Sequence, residues 1–487
     1  DQYHDIPGGP IQHDGTGVEI YSTVFSLEES PFDSLTLWAG SDDGLIHITR
    51  DGGQVWQNIT PVDLPAELTI NQIHLSRHQD GKAYVAGYNY RYGDFTPYLF
   101  QTKDFGQNWV LLTRHNGIDS THFIRTIAED PQKEGLLFAG TEFGLYQSFD
   151  DGKSWQTFQL NLPHTPITDV KIHQDNLVMS TQGRGFWILD NLSVLRNWPT
   201  PQGPQENHLF QPKSTYRSNL AGFSGHDSPP KAKYEGEIYY WLQTLDSGTV
   251  VSLEIIDETG RKVVEASSED DAKVKLTAKS GLNLFKWDLR YPAPTLVKDL
   301  VMMDMKHPGT GPKAPTGKYA VNLTVGEKEL GSEIQVFRDP RWEVTDPDLR
   351  ENFILASEIA ELITKSQEQL ETLRGVRNQL SVWTSRLDPV DNKSTITAVD
   401  SIIKEAKALE DQIYQDQIEV SQDEINYRRL FTNHIIRLYR VVIDQDNRPS
   451  QGELERWEDL KKNYEAFAIK YNAFLERDMP TINVLSR

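Results

Sequence analysis

Cysteine is absent from the 487 residues. That excludes disulfides, thiolate metal sites and a cysteine nucleophile. No apolar run of about 18 residues occurs either, so no direct membrane span is expected. Positive charge is scarce: 49 Lys and Arg face 71 Asp and Glu, for a net charge of −22 at pH 7 and a pI of about 5.0. Such a surface repels a phosphate backbone, so no nucleic acid partner is expected. Zinc spacings, calcium loops and phosphate-cradling glycine loops are missing, and no metal or cofactor is expected. His74 and His78 stand four apart, but on or just after a strand, where four residues span about 13 Å. Asp444-Gln445-Asp446-Asn447 lacks the Gly and distal Glu of a calcium loop and reads as a turn between helices.

What is present is aromatic. Hydrophobic residues make up 37% and aromatics 10%, with 11 Trp, enough for large cores in about three domains. The texture changes along the chain. Residues 1–200 are strand-like, with Gly, Trp and turn residues. Residues 201–233 are rich in Pro, Gly and Ser and read as a linker. Residues 234–341 alternate apolar and polar. Residues 345–487 take helical periodicity.

Internal repeats decide the first region. The pattern Ser/Thr-x-Asp-x-Gly-x-x-Trp, an Asp box, occurs three times: Thr49, Asp51, Gly53, Trp56; Thr102, Asp104, Gly106, Trp109; and Ser148, Asp150, Gly152, Trp155. Each box follows two strands joined by a Gly-containing turn, as in Leu37–Gly40 and Leu45–Thr49. A first strand precedes each pair, at Val18–Ser26, Thr69–Leu75 and His122–Ala128. A fourth unit, Ile167–Ile172 with Leu177–Leu189, lacks the box. Four short strands per repeat are the blade of a β-propeller. The Asp accepts N–H groups across its turn, Gly permits positive φ, and Trp packs back between blades. About four blades are expected here. The ring is expected to be completed by an N-terminal propeller portion on the same precursor or on a companion chain; the start at Asp1, without Met, reads as a processed or cut end.

Strand candidates at Glu237–Leu242, Val250–Ile256, Leu284–Asp288, Lys318–Val325 and Glu333–Phe337, with a turn at Asp257-Glu258-Thr259-Gly260, predict an immunoglobulin- or fibronectin-like sandwich. Thr345-Asp346-Pro347-Asp348 opens a first helix. Ile402–Ile413 and Tyr427–Ile443 are the next two, and the capping box Ser450-x-x-Glu453 opens a fourth. An antiparallel helical bundle follows. The expected fold class is thus multi-domain, mainly β plus α.

The ordered landmarks resemble the C-terminal half of bacterial, Bacteroidetes-type, sortilin-like Asp-box (BNR) repeat proteins, often labelled glycosyl hydrolases. They are Ala39-Gly40-Ser41-Asp42-Asp43-Gly44, Pro97-Tyr98-Leu99-Phe100, Gly140-Thr141-Glu142-Phe143-Gly144-Leu145 and Gly183-Arg184-Gly185-Phe186-Trp187-Ile188-Leu189-Asp190. Further along come Gly281 to Pro292, Pro315-Thr316-Gly317-Lys318-Tyr319 and Asp339-Pro340-Arg341. The resemblance spans almost the whole chain. It implies an exported protein of the cell surface, periplasm or extracellular space, with a propeller that binds a protein or peptide and belongs to a larger outer-membrane or cell-surface complex.

The box carboxylates Asp51, Asp104 and Asp150 read as structural, on turns opposite the binding face. That face is built by the turns between second and third strands and by blade connections. It gathers Asp42, Asp43, Tyr90, Arg91, Asp94, Glu142, Phe143 and Arg184, a mixture suited to peptide or sugar recognition. Glu142 and Arg184, on adjacent equivalent turns, are placed to pair. The competing class is a glycoside hydrolase. A sialidase-type site would draw three arginines from Arg77, Arg91, Arg125 and Arg184. A xyloglucanase-type site would draw two acids from Asp43, Asp94 and Glu142.

Overall fold

A computed structural model describes residues 20–199, 203–218, 234–298, 300–302 and 309–485, with side chains up to residue 477. The expected strand positions Val18 and Glu19, and most of the expected linker, lie outside the described residues. The chain forms two compact units, Asp1–Gln205 and Glu206–Arg487.

Among the described residues the first unit forms four antiparallel sheets met in chain order. The first holds β1 (Val24–Glu29), β2 (Leu37–Ser41), β3 (Ile46–Thr49) and β4 (Gln57–Asn58). The second holds β5 (Thr69–Leu75), β6 (Ala83–Asn89), β7 (Asp94–Thr102) and β8 (Val110–Leu111). The third holds β9 (Ile124–Glu129), β10 (Leu137–Thr141), β11 (Gly144–Ser148) and β12 (Gln156–Thr157). The fourth has three strands, β13 (Ile167–His173), β14 (Asn176–Thr181) and β15 (Phe186–Leu189), before a one-turn helix, α1 (Ser193–Arg196). The first strands pack side by side, β1 on β5, β5 on β9 and β9 on β13. The sheets therefore radiate from an axis as β-propeller blades. Glu28 on β1 feels the charges of Lys171 and Asp169 on β13, so these inner strands face a common axis.

A sheet with two apolar faces must cover both, and three cores lie between successive sheets. Trp38, Ile46 and Ile48 meet Ile70 and Ile73; Tyr84 and Leu99 meet Ile124 and Ile127; Phe138 and Leu145 meet Ile167 and Val170. Gly40 and Gly140 permit this approach, since a Cβ there would fall 2.4 Å and 2.7 Å from Ile70 and Ile167. Polar side chains stitch the same seams. Ser26 Oγ accepts the Ile73 N–H at 2.9 Å, Gln72 Oε1 accepts that of Ile127 at 2.8 Å, and Thr126 Oγ1 accepts that of Val170 at 3.1 Å.

The second and third sheets also share a buried ionic cluster. The Lys82 ammonium meets Glu129 at 3.0 Å and Asp151 at 3.1 Å, and the Tyr84 hydroxyl lies against both carboxylates. Burial would raise the Asp151 carboxyl, but hydrogen bonds from Lys103, Tyr84 and Lys82 outweigh it and hold it at about 2. His74, neutral and buried, accepts the Glu129 N–H at 3.0 Å, and burial lowers its ring to about 4.

In the second unit, β16 (His208–Leu209), β18 (Gly236–Leu242) and β21 (Gly281–Trp287) form one sheet. The other runs in the order β17 (Thr215–Arg217), β23 (Lys328–Arg338), β22 (Gly317–Val325), β19 (Val251–Ile256) and β20 (Lys262–Ser267). Alternate residues of β18 and β19 point into one core shared by both sheets. The stretch read as linker thus contributes two strands, and β17 runs parallel to β23. Local polarity hid them: each is only two or three residues long, between Pro and Gln residues.

Helices α2 (Asp346–Thr384), α3 (Lys393–Ile413), α4 (Phe431–Asp444) and α5 (Gln451–Leu485) share one apolar core. Caps at Thr345 with Asp348 and at Ser450 with Glu453 start α2 and α5. The third expected helix begins at Phe431 rather than Tyr427, because buried Glu424 accepts from Asn433 and Arg437 and holds the preceding turn apart. The turn at Asp446 does more than connect helices. Its carboxylate accepts from Arg217 at 2.9 Å and from Lys313 at 2.6 Å, all three largely buried, and so ties the bundle to the sandwich.

Asp446→Ala leaves Arg217 buried without its counter-charge. It is expected to cost roughly 3–5 kcal/mol in a urea transition followed by helical circular dichroism, whereas Glu333→Ala, on the exposed Lys318 pair, costs about 0–1 kcal/mol. A second outcome concerns acid. Between pH 6.5 and 4 the unfolded His74 binds a proton that the folded one refuses, so stability falls as pH drops through that window. Asp151 extends the loss from 3.8 down to about 2. Urea midpoints of the first unit across this range check it, and His74→Gln flattens the upper part of the curve.

Candidate functional site

The repeated box builds one end of each sheet. In the third sheet, Asp150 Oδ1 accepts from Ser148 Oγ at 2.8 Å and from the Ser154 N–H at 2.8 Å, and Ser148 Oγ accepts the Gly152 N–H at 2.9 Å. The turns at Asp51 and Asp104 repeat this pattern. Gly53, Gly106 and Gly152 have φ of 93°, 82° and 81°, where a Cβ is strained. Hydrogen bonds, chiefly from Val55 N–H and the Asn108 side chain, hold Asp51 and Asp104 below the ordinary carboxylate range. Burial raises Asp150, but bonds from Ser154 outweigh it. Trp109 Nε1–H donates to the Ile59 carbonyl at 2.8 Å and Trp155 Nε1–H to that of Leu112 at 3.1 Å, each reaching the preceding sheet.

The antiparallel register puts the turns between second and third strands at the opposite end, level with the starts of the first strands, as Thr141 opposite Ile124 shows. At this end the 3-10 turn Tyr90–Tyr92, closed by Gly93, carries Tyr90 onto Phe123, with ring centroids 5.1 Å apart and planes 19° apart. Tyr88 and Phe95 join the same cluster at 5.9 Å and 6.2 Å from Phe123. The Arg125 guanidinium lies over the rings of Phe123, Tyr88 and Tyr90 at 5.2–5.9 Å. Its Nε–H donates to Glu142 at 2.7 Å. Phe143 packs on His122 at 4.6 Å, and His122 Nδ1 bonds the Tyr146 hydroxyl at 2.9 Å.

Five predicted residues surround this platform: Asp42, Tyr90, Arg91, Glu142 and Phe143. Asp42 is buried and accepts the Thr23 N–H at 2.8 Å. Burial raises its carboxyl; Asp43 adds to the rise, and Arg91 opposes it. Asp43 accepts from Ser41. Asp94 is turned to its own strand, accepting the Tyr98 hydroxyl at 2.6 Å and the Thr96 N–H at 3.0 Å. Glu142 pairs with Arg125 and not with Arg184, because the start of β9 reaches it first. Arg184 stands exposed on its own turn, where its carbonyl accepts from Trp187 Nε1–H at 3.1 Å. Tyr88, Phe95, His122 and Phe123 were missed, and Arg125 was named only among the arginines of a sialidase-type site. Their signal was position: first strands begin, and second and third strands meet, at the level of the turn already chosen.

His74 and His78 each serve a backbone group of the third sheet, His78 Nε2–H donating to the Asp130 carbonyl at 2.8 Å. A separate cleft of about 840 Å³ runs along the outer edges of the first two sheets, between Pro61–Pro65 and Tyr98, Trp109 and His115. Among the described residues no helix is long and apolar enough to cross a membrane.

No family model matches the chain, and no curated protein does. Solved structures similar to it include YCF48 bound to D1 peptide, at 15% identity over 64% of this chain and 82% of that one, with a TM-score of 0.27. Another is an extracellular domain assigned to a hybrid two component system of B. thetaiotaomicron, at 14% identity over 65% and 38%, with a TM-score of 0.29. A third is the GH74 xyloglucanase of Xanthomonas campestris, at 16% identity over 44% and 33%, with a TM-score of 0.28. Scores of this size fix neither ligand nor activity.

The box is expected to act on stability. Ser148→Ala strands the buried Gly152 N–H and is expected to cost about 1–3 kcal/mol in a urea transition of the first unit read by tryptophan fluorescence.

Proposed function

We propose that the first unit is the binding module of an exported bacterial protein of sortilin-like, Asp-box type, and that its ligand is an extended segment of another protein. The observation that carries this reading is the Arg125 platform. A cation is held over three aromatic rings and tethered by Glu142, with exposed Phe95, Phe143 and Arg91 around it. Aromatics and arginine supply large contact area and fixed geometry at little entropic cost. Exposed Arg91 favours a carboxylate, and the exposed rings favour an apolar side chain beside it. The second unit, with an immunoglobulin- or fibronectin-type sandwich and a helical bundle, serves as spacer or docking module within a cell-surface or periplasmic assembly.

A second reading, secreted glycoside hydrolysis, draws on one observation: Asp42 is raised by burial with Asp43 beside it, the pattern that a general acid requires. Polysaccharides and sialosides offered to the full chain decide it, since release of reducing sugar or sialic acid would replace the binding reading.

Short acidic–aromatic peptides on an array are the direct test. Binding is expected to fall at least about tenfold, on the order of 1.4 kcal/mol, with Arg125→Ala and with Phe95→Ala, and to survive Asp104→Asn at the opposite end. Binding that ignores Arg125 and Phe95 would remove this face from consideration.

A further inference from the structure

We infer that the first and fourth sheets are the open ends of an unfinished ring, and that the back face of the first is covered by a four-stranded antiparallel sheet of the same repeat that is not one of this chain's four. The register makes Leu27 equivalent to Ile73, Ile127 and Val170, and Val24 equivalent to Ile70, Ile124 and Ile167. The six later residues are fully buried, at 0% exposure, each beneath the preceding sheet. Leu27 and Val24 are 61% and 55% exposed. The same holds at the other end. Ile46, Leu99 and Leu145 are buried by the sheet that follows, whereas their equivalent Phe186 is 81% exposed.

The internal seams also specify the occupant. Each Trp-bearing sheet after the first rests on a sheet with a fourth strand, and the indole N–H bonds the carbonyl just past that strand, Ile59 after β4 and Leu112 after β8. Trp56 is the equivalent donor of the first sheet and is 39% exposed. The sheet that receives it must therefore own a fourth strand. Among the described residues the fourth sheet has no strand beyond β15, so neither closure of the arc on itself nor a second copy docked head to tail supplies that carbonyl from a fourth strand. The seam also requires a polar side chain at the position of Ser26, Gln72 and Thr126, aimed at the Leu27 N–H. Continuity with three existing seams thus defines the partner: a blade with a fourth strand, a polar residue near the start of its first strand, and an apolar front.

Two measurements test this. In the purified full chain, Leu27→Asp is expected to leave the urea midpoint unchanged, while Ile127→Asp at the equivalent covered position abolishes the folded first unit. A loss of stability with Leu27→Asp would mean that the chain covers this face itself. In the producing cells, a photoreactive benzoylphenylalanine at position 27 is expected to give an adduct whose sequenced peptide comes from an antiparallel sheet repeat outside residues 1–487, lost when Trp56→Asp is added. Adducts to residues 177–189 of this chain, or no adduct at all, overturn the inference.

Discussion

One constraint runs through the first unit: a short sheet with two apolar faces cannot stand alone, and three devices close the three seams between sheets, the first at every seam and each of the others at two of them. A polar side chain near the start of one inner strand takes an N–H from the next. Apolar residues interlock at distances that need Gly40 and Gly140. A box tryptophan reaches back to a carbonyl. Hydrogen bonds of this kind are modest singly, but an unmade one on a buried edge is costly. The seams therefore fix the radial order of the sheets and, through it, which loops come together.

That order produces the candidate site. Because the register places the starts of first strands beside the turns between second and third strands, β9 delivers Phe123 and Arg125 to the turn that carries Tyr90. Arg125 is then held by Glu142 from the following turn. The box carboxylates occupy the other end and are spent on turn N–H groups. The separation of the box turns from the candidate site is thus a consequence of strand direction.

Much of this was legible. The spacing of the boxes announced the repeats, the alternation in 236–242 and 251–256 announced the sandwich strands, and the caps at Thr345 and Ser450 marked two helices. Short polar strands were not legible. His208–Leu209 and Thr215–Arg217 exist only because a neighbouring strand pairs with them. Nor was the role of Asp446, since nothing local to a turn reveals that Arg217, 229 positions away, will be buried against it. At the candidate site the turn residues Tyr90, Glu142 and Phe143 were readable. Phe123 was not, and Arg125 was named only among the arginines of a sialidase-type site, because an inner strand's first residues look like core until register fixes their end of the sheet.

Amide hydrogen exchange of the full chain tests the seams most directly. The Ile73, Ile127 and Val170 N–H groups, each held by a side chain of the preceding sheet, are predicted to exchange as slowly as the cores around them, and the Leu27 N–H to exchange fast. Rapid exchange at those three positions, or equal protection at Leu27, would contradict the account.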